Sequence, residues 1–198
     1  MSPEDLRRCL SRIARAAQPG ALVRGSWPVP VLSANPVPAA VLVGLRPGAE
    51  PGVLLTQRNE RLAHHAGQVS FPGGRIDPAD ASATAAALRE AQEEVGLDPD
   101  SIEPLGAIED FLTGTGFRIT PILALLPEYP RYTPAPAEVA AVFHYPLETL
   151  LNPDAPRHER QLRNGQMRDT WVWPHPTQTI WGATAAILVH LAERLRES

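Results

Sequence analysis

The chain has 198 residues, 43% hydrophobic and 20% charged, which suits one packed domain and is short for two. A net charge of −4 leaves no basic footprint for nucleic acid, and the single cysteine, Cys9, excludes an internal disulfide and a thiolate metal centre. No apolar run approaches the roughly 20 residues of a membrane span, and the early acids Glu4 and Asp5 are unlike a transit peptide. The expectation is a cytoplasmic protein, with monomer and homodimer both left open.

Ser2, Pro3, Glu4 and Asp5 mark a helix start, and Leu6, Leu10 and Ile13 recur at helical spacing, with Cys9 facing the core. The proline-rich stretch 27–39 reads as an extended connector, because proline excludes helix and blocks central strand pairing. Residues 1–38 are therefore expected to pack as helix and connector on a domain formed by 39–198. Residues 40–45 and 53–56 are strand candidates around the turn-rich RPGAEPG, and 68–71 is a short strand leading into a bend at Gly73 and Gly74. A helix over 82–95 follows, then strands near 104–111, 119–126 and 138–145 and a short helix at 147–151. Residues 157–173 read as a hairpin turning at Asn164-Gly165. A helix over 180–196 closes the chain with Ile180, Ala183, Ile187, Leu191 and Leu195 inward, and Trp181 is assigned to its packing. The pattern predicts an α+β fold, a sandwich with a mixed β-sheet between helices.

The helix over 82–95 carries the chemistry. At about 100° per residue, Glu90, Glu93 and Glu94 fall within roughly 100° of arc, opposite Leu88, Ala91 and Val95, so the acids are expected to face outward together. Gly96 is the expected C-cap and Pro99 cannot continue the helix. Each acid near the negative end of the helix dipole costs about 0.3–1 kcal/mol, and only Arg89 offers local relief. A solvated acidic face is the plain alternative. Just upstream, Gly73 and Gly74 permit close backbone approach, and Asp80 or Ser82 can cap the helix. Oxygen donors clustered beside such a bend suit Mg²⁺ or Mn²⁺ and a phosphate.

The segment GGRIDPADASATAAALREAQEEVGL resembles the Nudix box, the signature of hydrolases that cleave nucleoside diphosphates linked to another moiety. Gly74, Arg89, Glu90, Glu93, Glu94, Gly96 and Leu97 match it. The spacing from Gly74 to Arg89 is one residue longer than the pattern, Asp80 replaces its first glutamate, and Ala91 fills a site that is more often larger. LLTQRNERLAHHAGQVSFPGG at 54–74 is similar to the block that precedes the box in coenzyme A pyrophosphatases, with Leu54, Leu55, Thr56, Arg58, Gly67, Phe71, Pro72, Gly73 and Gly74 in register. Asn59 stands where Ser or Ala is usual, and Ala63 where a second arginine is usual. GFRITPI at 116–122 and IWGATAAIL at 180–188 resemble later blocks, so the likeness runs from about residue 39 to 195.

The resemblance implies a Nudix-like α/β/α sandwich and metal-dependent cleavage of coenzyme A, or a derivative, to 3′,5′-ADP and 4′-phosphopantetheine. Glu90 and Glu94, about 6 Å apart along the helix axis, are the expected Mg²⁺ or Mn²⁺ ligands, with the carbonyl of Gly74. Glu93 is a third ligand or the general base, oriented by Arg89. Glu138 is the other candidate base, its alternative being a surface acid at a strand end. Arg58 is placed on a substrate phosphate, against the alternative of a surface arginine paired with Glu60 or a neighbour. Arg61 is a candidate replacement for the arginine missing at 63, and Gly73 and Gly74 approach the substrate. His64 and His65 lie in a loop, touching substrate or solvent, and the other histidines have no metal-ligand spacing. The partner is a small nucleotide, with no nucleic acid and no membrane. Two alternatives stay open: another substrate such as ADP-ribose or a dinucleoside polyphosphate, and a nucleotide-binding module without catalysis.

Overall fold

The computed structural model describes residues 1–23, 35–62, 65–163 and 166–197. Most of the expected connector, Ala63, His64 and the turn at 164–165 lie outside the described residues.

Helix α1 (Pro3–Ala16) begins as its capping residues dictate: the Ser2 hydroxyl accepts from the Asp5 amide at 3.1 Å. Its buried stripe is Leu6, Leu10 and Ile13, and Cys9 packs half-buried beside them. Strands β1 (Leu22–Val23), β2 (Val37–Arg46), β3 (Gly52–Arg58), β4 (Val69–Ser70) and β5 (Gly73–Arg75) lead into helix α2 (Ala83–Val95). A 3₁₀ turn at Pro99–Ser101 precedes β6 (Glu103–Ala107), β7 (Asp110–Leu112), β8 (Phe117–Leu125) and β9 (Val139–Pro146). Helix α3 (Leu147–Leu151), the hairpin β10 (Arg157–Arg163) and β11 (Gln166–Trp173), β12 (Ile180–Trp181) and helix α4 (Gly182–Arg196) complete the chain.

The main sheet is mixed and runs β1-β7-β8-β2-β3-β4, with β5 also on β2, β6 on β8 and β9 on β3. β2 and β8 pair in parallel over nine positions, from Val37↔Phe117 to Leu45↔Leu125. β2 is apolar from Val37 to Leu45, and from Ala39 onward it is covered on both faces. Ala40 and Leu42 join Leu54 and Ile122 against Ala86, Ala87, Ala91 and Val95 of α2. Val43 and Leu45 face the opposite way, among Leu6, Leu10, Leu150, Leu188 and Leu191. The expected mixed sheet between helices is therefore present. No helix among the described residues is long and apolar enough to cross a membrane.

Three local expectations change. The bend at Gly73 and Gly74 is a strand: β5 pairs with β2 through Ala39↔Arg75, Ala40↔Gly74 and Val41↔Gly73. The other edge of β2 is thus divided between β5 near residue 40 and β3 near residue 45, so β3 splays away and a cleft opens beside Gly73. Second, the strand expected over 104–111 is two, β6 and β7, broken at 108–109 where Glu109 turns toward His190 of α4; a register shift between Pro104 and Gly106 (φ 141°) lies within β6. Third, α4 begins at Gly182 (φ 69°) rather than at 180. Ile180 is buried in β12, and Ala183 is half-buried instead of inward.

Candidate active site

Helix α2 ends where the sequence places its stop, on Gly96 in the left-handed conformation (φ 67°). Its start is capped by Ser82, whose hydroxyl accepts from the Ala85 amide at 3.1 Å. Asp80, the other candidate cap, has a different task. It takes a two-pronged pair from Arg89, Nε to Oδ1 and Nη2 to Oδ2, both 3.0 Å. Arg89 also donates through Nη1 to Glu90 (3.0 Å) and Glu93 (2.9 Å) and through Nη2 to the Arg75 carbonyl (3.2 Å). The Asp80 bond above all raises the guanidinium's proton affinity, and reciprocally holds Asp80 below the usual carboxylate range. Arg89 therefore fastens the glycine strand and helix together. Its donors are occupied by protein.

The three glutamates do not face outward together. Glu93 is exposed, Glu90 is half-buried, and Glu94 is only 5% exposed, turned in toward β5. The Gly73 amide donates to Glu94 Oε2 at 3.2 Å, and Arg58 Nη1 lies 3.7 Å from Glu94 Oε1. Arg58 thus pairs with Glu94 and not with Glu60. Burial pushes the Glu94 carboxyl up to about 7; the Gly73 amide and Arg58 oppose this, while Glu90 and Glu138 add to it. Glu90 is also raised, first by burial, with Arg89 pulling back and Glu93 and Glu138 pushing further. Glycine is required at Gly73, and at Gly74 a side chain would displace the Glu90 carboxylate. A Cβ on Gly73 (φ 153°) would strike the Ala40 carbonyl oxygen, and one on Gly74 would sit 2.5 Å from Glu90 Oε1.

Among the described residues, no three His, Cys, Asp or Glu side chains converge on one point as a ready-made metal cage. Two desolvated carboxylates beside a glycine backbone still fit Mg²⁺ or Mn²⁺. Such ions are commonly held by one or two carboxylates, with waters and substrate phosphates completing the shell. A cation there would relieve two carboxyls that burial holds above their ordinary range.

Beside Gly73 lies a cavity of about 720 Å³. Val41, Phe71 and Ile119 form apolar wall, Ser70, Thr113, Thr115 and Thr184 supply hydroxyls, and Arg58, His65 and Gln68 add polar groups. The described lining contains no carboxylate. Arg58 spans both places, since it lines the cavity and reaches Glu94. His65 is the one described non-glycine residue with positive φ (57°), and its Nδ1 lies 2.9 Å from Gln68 Oε1. Trp181 is half-buried and borders the cavity rather than serving the last helix alone. Arg61 is exposed on the turn after β3, where its amide donates to Asn59 Oδ1 at 3.0 Å. Glu138 is exposed immediately before β9, and its charge bears on both Glu90 and Glu94. The sequence reading missed the roles of Asp80 and Asn59 and the hydroxyl wall; the two threonines of TGTGF were the available signal for that wall.

The chain matches a NUDIX domain model over residues 35–172. It is 44% identical over 154 residues to a Citrobacter koseri protein named "Uncharacterized Nudix hydrolase NudL", covering 78% of this chain and 80% of that protein. The Escherichia coli K12 protein of the same name is 41% identical over the same length and coverage. Among solved structures, RenU, a Nudix hydrolase from M. smegmatis, superposes with a TM-score of 0.55 at 20% identity, covering 82% of this chain and 88% of that one. The NUDIX domain of Shewanella oneidensis NrtR, crystallised with ADP ribose, gives 0.51 at 21% identity, covering 82% and 87%. At those identities the structural likeness shows the fold, and the sequence matches show the family. The chain belongs to the Nudix hydrolase family and is a pyrophosphohydrolase of nucleoside diphosphate derivatives.

Proposed function

We propose that this hydrolase cleaves the pyrophosphate of coenzyme A or its derivatives, giving 3′,5′-ADP and 4′-phosphopantetheine, with Mg²⁺ or Mn²⁺ held by Glu90, Glu94 and the Gly74 carbonyl. The observation that carries the reading is Arg58, paired with Glu94 on one side and lining the cavity on the other. A diphosphate bridging those places would take a planar guanidinium fork on its oxygens while its organic half enters the cavity. The wall of apolar groups and neutral hydroxyls suits the amide-bearing pantetheine arm. A second ribose, as in ADP-ribose, is commonly recognised through a carboxylate on its diol, and the described lining offers none.

Held by Glu90, Glu94 and the Gly74 carbonyl, such a cation would supply charge neutralisation for the diphosphate and a lowered pKa for an attacking water. The protein groups divide the remaining work. Gly73 and Gly74 let the backbone approach the phosphates without a side chain intervening. Arg89 keeps Glu90 aimed by holding one of its oxygens. Of the two candidate bases, Glu93 is turned outward onto Arg89 and its charge bears on Glu90, whereas the charge of Glu138 bears on both buried acids. We therefore assign Glu138 to accept the proton of the attacking water, and Glu93 to steady Arg89. Arg61 is left at the rim of the substrate site.

The test is a substrate panel with Mg²⁺ and Mn²⁺: release of 3′,5′-ADP from coenzyme A against turnover of ADP-ribose and diadenosine polyphosphates. Coenzyme A is expected to give the highest kcat/KM. Efficient cleavage of ADP-ribose with coenzyme A untouched would remove the substrate assignment and leave the family intact.

A further inference from the structure

The loop carrying Glu138 is held from two sides. From the helix side, the Thr133 amide donates to the Val95 carbonyl (2.8 Å) and the Ala135 amide to the Glu94 carbonyl (2.9 Å). From the strand side it is fastened by Asn59. β3 shifts register against β9 between Gln57 and Arg58, and Asn59 then leaves the ladder. Its amide donates to the Glu138 carbonyl at 2.8 Å, and its side-chain Nδ2 donates to the Pro136 carbonyl at 2.8 Å. Its Oδ1 accepts from the Arg61 amide at 3.0 Å, which fixes the side chain's orientation. Asn59 follows Arg58 directly, so one short segment sets both the guanidinium beside Glu94 and the turn that presents Glu138. A serine side chain is shorter by one heavy-atom bond and an alanine has no donor, so neither reproduces the bond to Pro136.

We propose that Asn59 is a positioning residue for hydrolysis: its bond to the Pro136 carbonyl holds the 135–138 turn, which is bonded to the Glu94 carbonyl through the Ala135 amide, and so fixes where Glu138 is presented relative to the end of α2. The proposal rests on the reading of Glu138 given above. Asn59 touches neither metal nor substrate in this account and acts only through Glu138. Displacing a catalytic group by about 1 Å lowers rate by up to roughly a hundred-fold, so an effect of about ten-fold is expected for a turn still held from the helix side.

A double-mutant cycle on the best substrate of the panel tests it, with thermal midpoints recorded for every variant. Asn59→Ala should lower kcat about ten-fold with KM within about two-fold. In a Glu138→Gln background, the same substitution should change kcat by less than about two-fold, since the group it positions is already lost. Asn59→Asp separates the two side-chain bonds: it keeps the acceptor for the Arg61 amide and loses the donor to Pro136, and it should fall with Asn59→Ala. Equal losses from Asn59→Ala in both backgrounds would reduce Asn59 to a structural bond and overturn the proposal, as would full activity of Asn59→Asp. Should Glu138→Gln leave kcat unchanged while Glu94→Gln abolishes turnover, the proposal falls and the metal-dependent hydrolase reading stands.

Discussion

Two glutamates of this protein are almost equally buried and are treated in opposite ways. Glu94 is 5% exposed and Glu109 is 7% exposed. Burial raises the proton affinity of each, but around Glu109 it is outweighed. His190 Nε2 lies 2.9 Å from Oε2, Arg194 pairs with Oε1, and the Gln18 amide also reaches Oε1, so the carboxyl ends below its ordinary range. Glu94 has one backbone amide and a long ion pair, and it is held up near 7. Glu109 joins the segment just after α1 to α4 and the sheet as a completed network. Glu94 is left under-compensated beside a glycine backbone and a cavity. Incomplete satisfaction of a buried charge is what distinguishes a site prepared for a ligand from a structural contact.

The largest expected effect separates the two directly. Glu94→Gln should lower kcat by about a thousand-fold or more if Glu94 is the charged cation ligand proposed above. Its thermal midpoint should stay within a few degrees of native, since the carboxylate is not what holds α2 in place. Glu109→Gln should do the reverse. It leaves Arg194 and His190 facing a neutral amide under α4, a loss of about 2–3 kcal/mol. That corresponds to roughly 5–10 °C in Tm for a chain of this size. Its kcat, measured well below the new midpoint, should remain within about two-fold of native. Comparable kcat losses in both variants would erase the contrast.

The pH dependence of stability gives a smaller effect with a definite sign. In chelator, Glu94 binds its proton more tightly folded than unfolded. Its contribution is therefore full below the ordinary 4.5 and is lost as pH rises to about 7, with Glu90 acting in the same direction. Glu109 behaves oppositely, contributing above 4.5 and losing that contribution only in more acid solution. Melting the metal-free protein at pH 5 and pH 8 should show a difference on the order of 2–3 kcal/mol in favour of the acid side for native, falling in Glu94→Gln to the smaller part that Glu90 contributes. Saturating Mg²⁺ or Mn²⁺ should reverse the sign, because ligation requires the deprotonated carboxylate. An identical pH profile in the two proteins would mean that Glu94 is not buried as described.

Much of this was legible in the chain, and the failures share a cause. The limits of α1 and α2 follow from Ser2, Ser82 and Gly96, whose signals are local. The identities of Glu90, Glu94, Arg89 and Arg58 were likewise readable from short segments. The orientation of the acids was not. On the helical wheel Leu88, Ala91 and Val95 form the whole buried face, but α2 packs against β5 as well as against β2, so its buried arc widens through Ala87 to Glu94. Small alanines give no hint of that second contact. β5 was read as a bend because two glycines disfavour a strand, and its pairing with Ala39, Ala40 and Val41 is decided by β2, far away in sequence. The cavity was invisible for the same reason, since Arg58, Thr113, Thr115 and Thr184 meet only when β3, the β7–β8 turn and α4 are assembled.

The finest test concerns the two arginines after β3. Among the described residues Arg58 is the ion-pair partner of Glu94, its side chain is 27% exposed, and its Nε is buried without a hydrogen-bond partner. Such a group gains on meeting a phosphate, because the ligand satisfies a donor that the protein leaves open. Arg61 is exposed two residues beyond the clamp made by Asn59, where a charge is screened by water. Arg58→Gln should therefore raise KM about ten-fold, while Arg61→Gln should change KM by less than about two-fold. Arg58→Gln should also steepen the acid-side preference of the metal-free protein, since Arg58 is one of the groups that restrains Glu94. A larger KM effect from Arg61 than from Arg58 would place the substrate's phosphates over the turn after β3 and detach the cavity from the acidic pair.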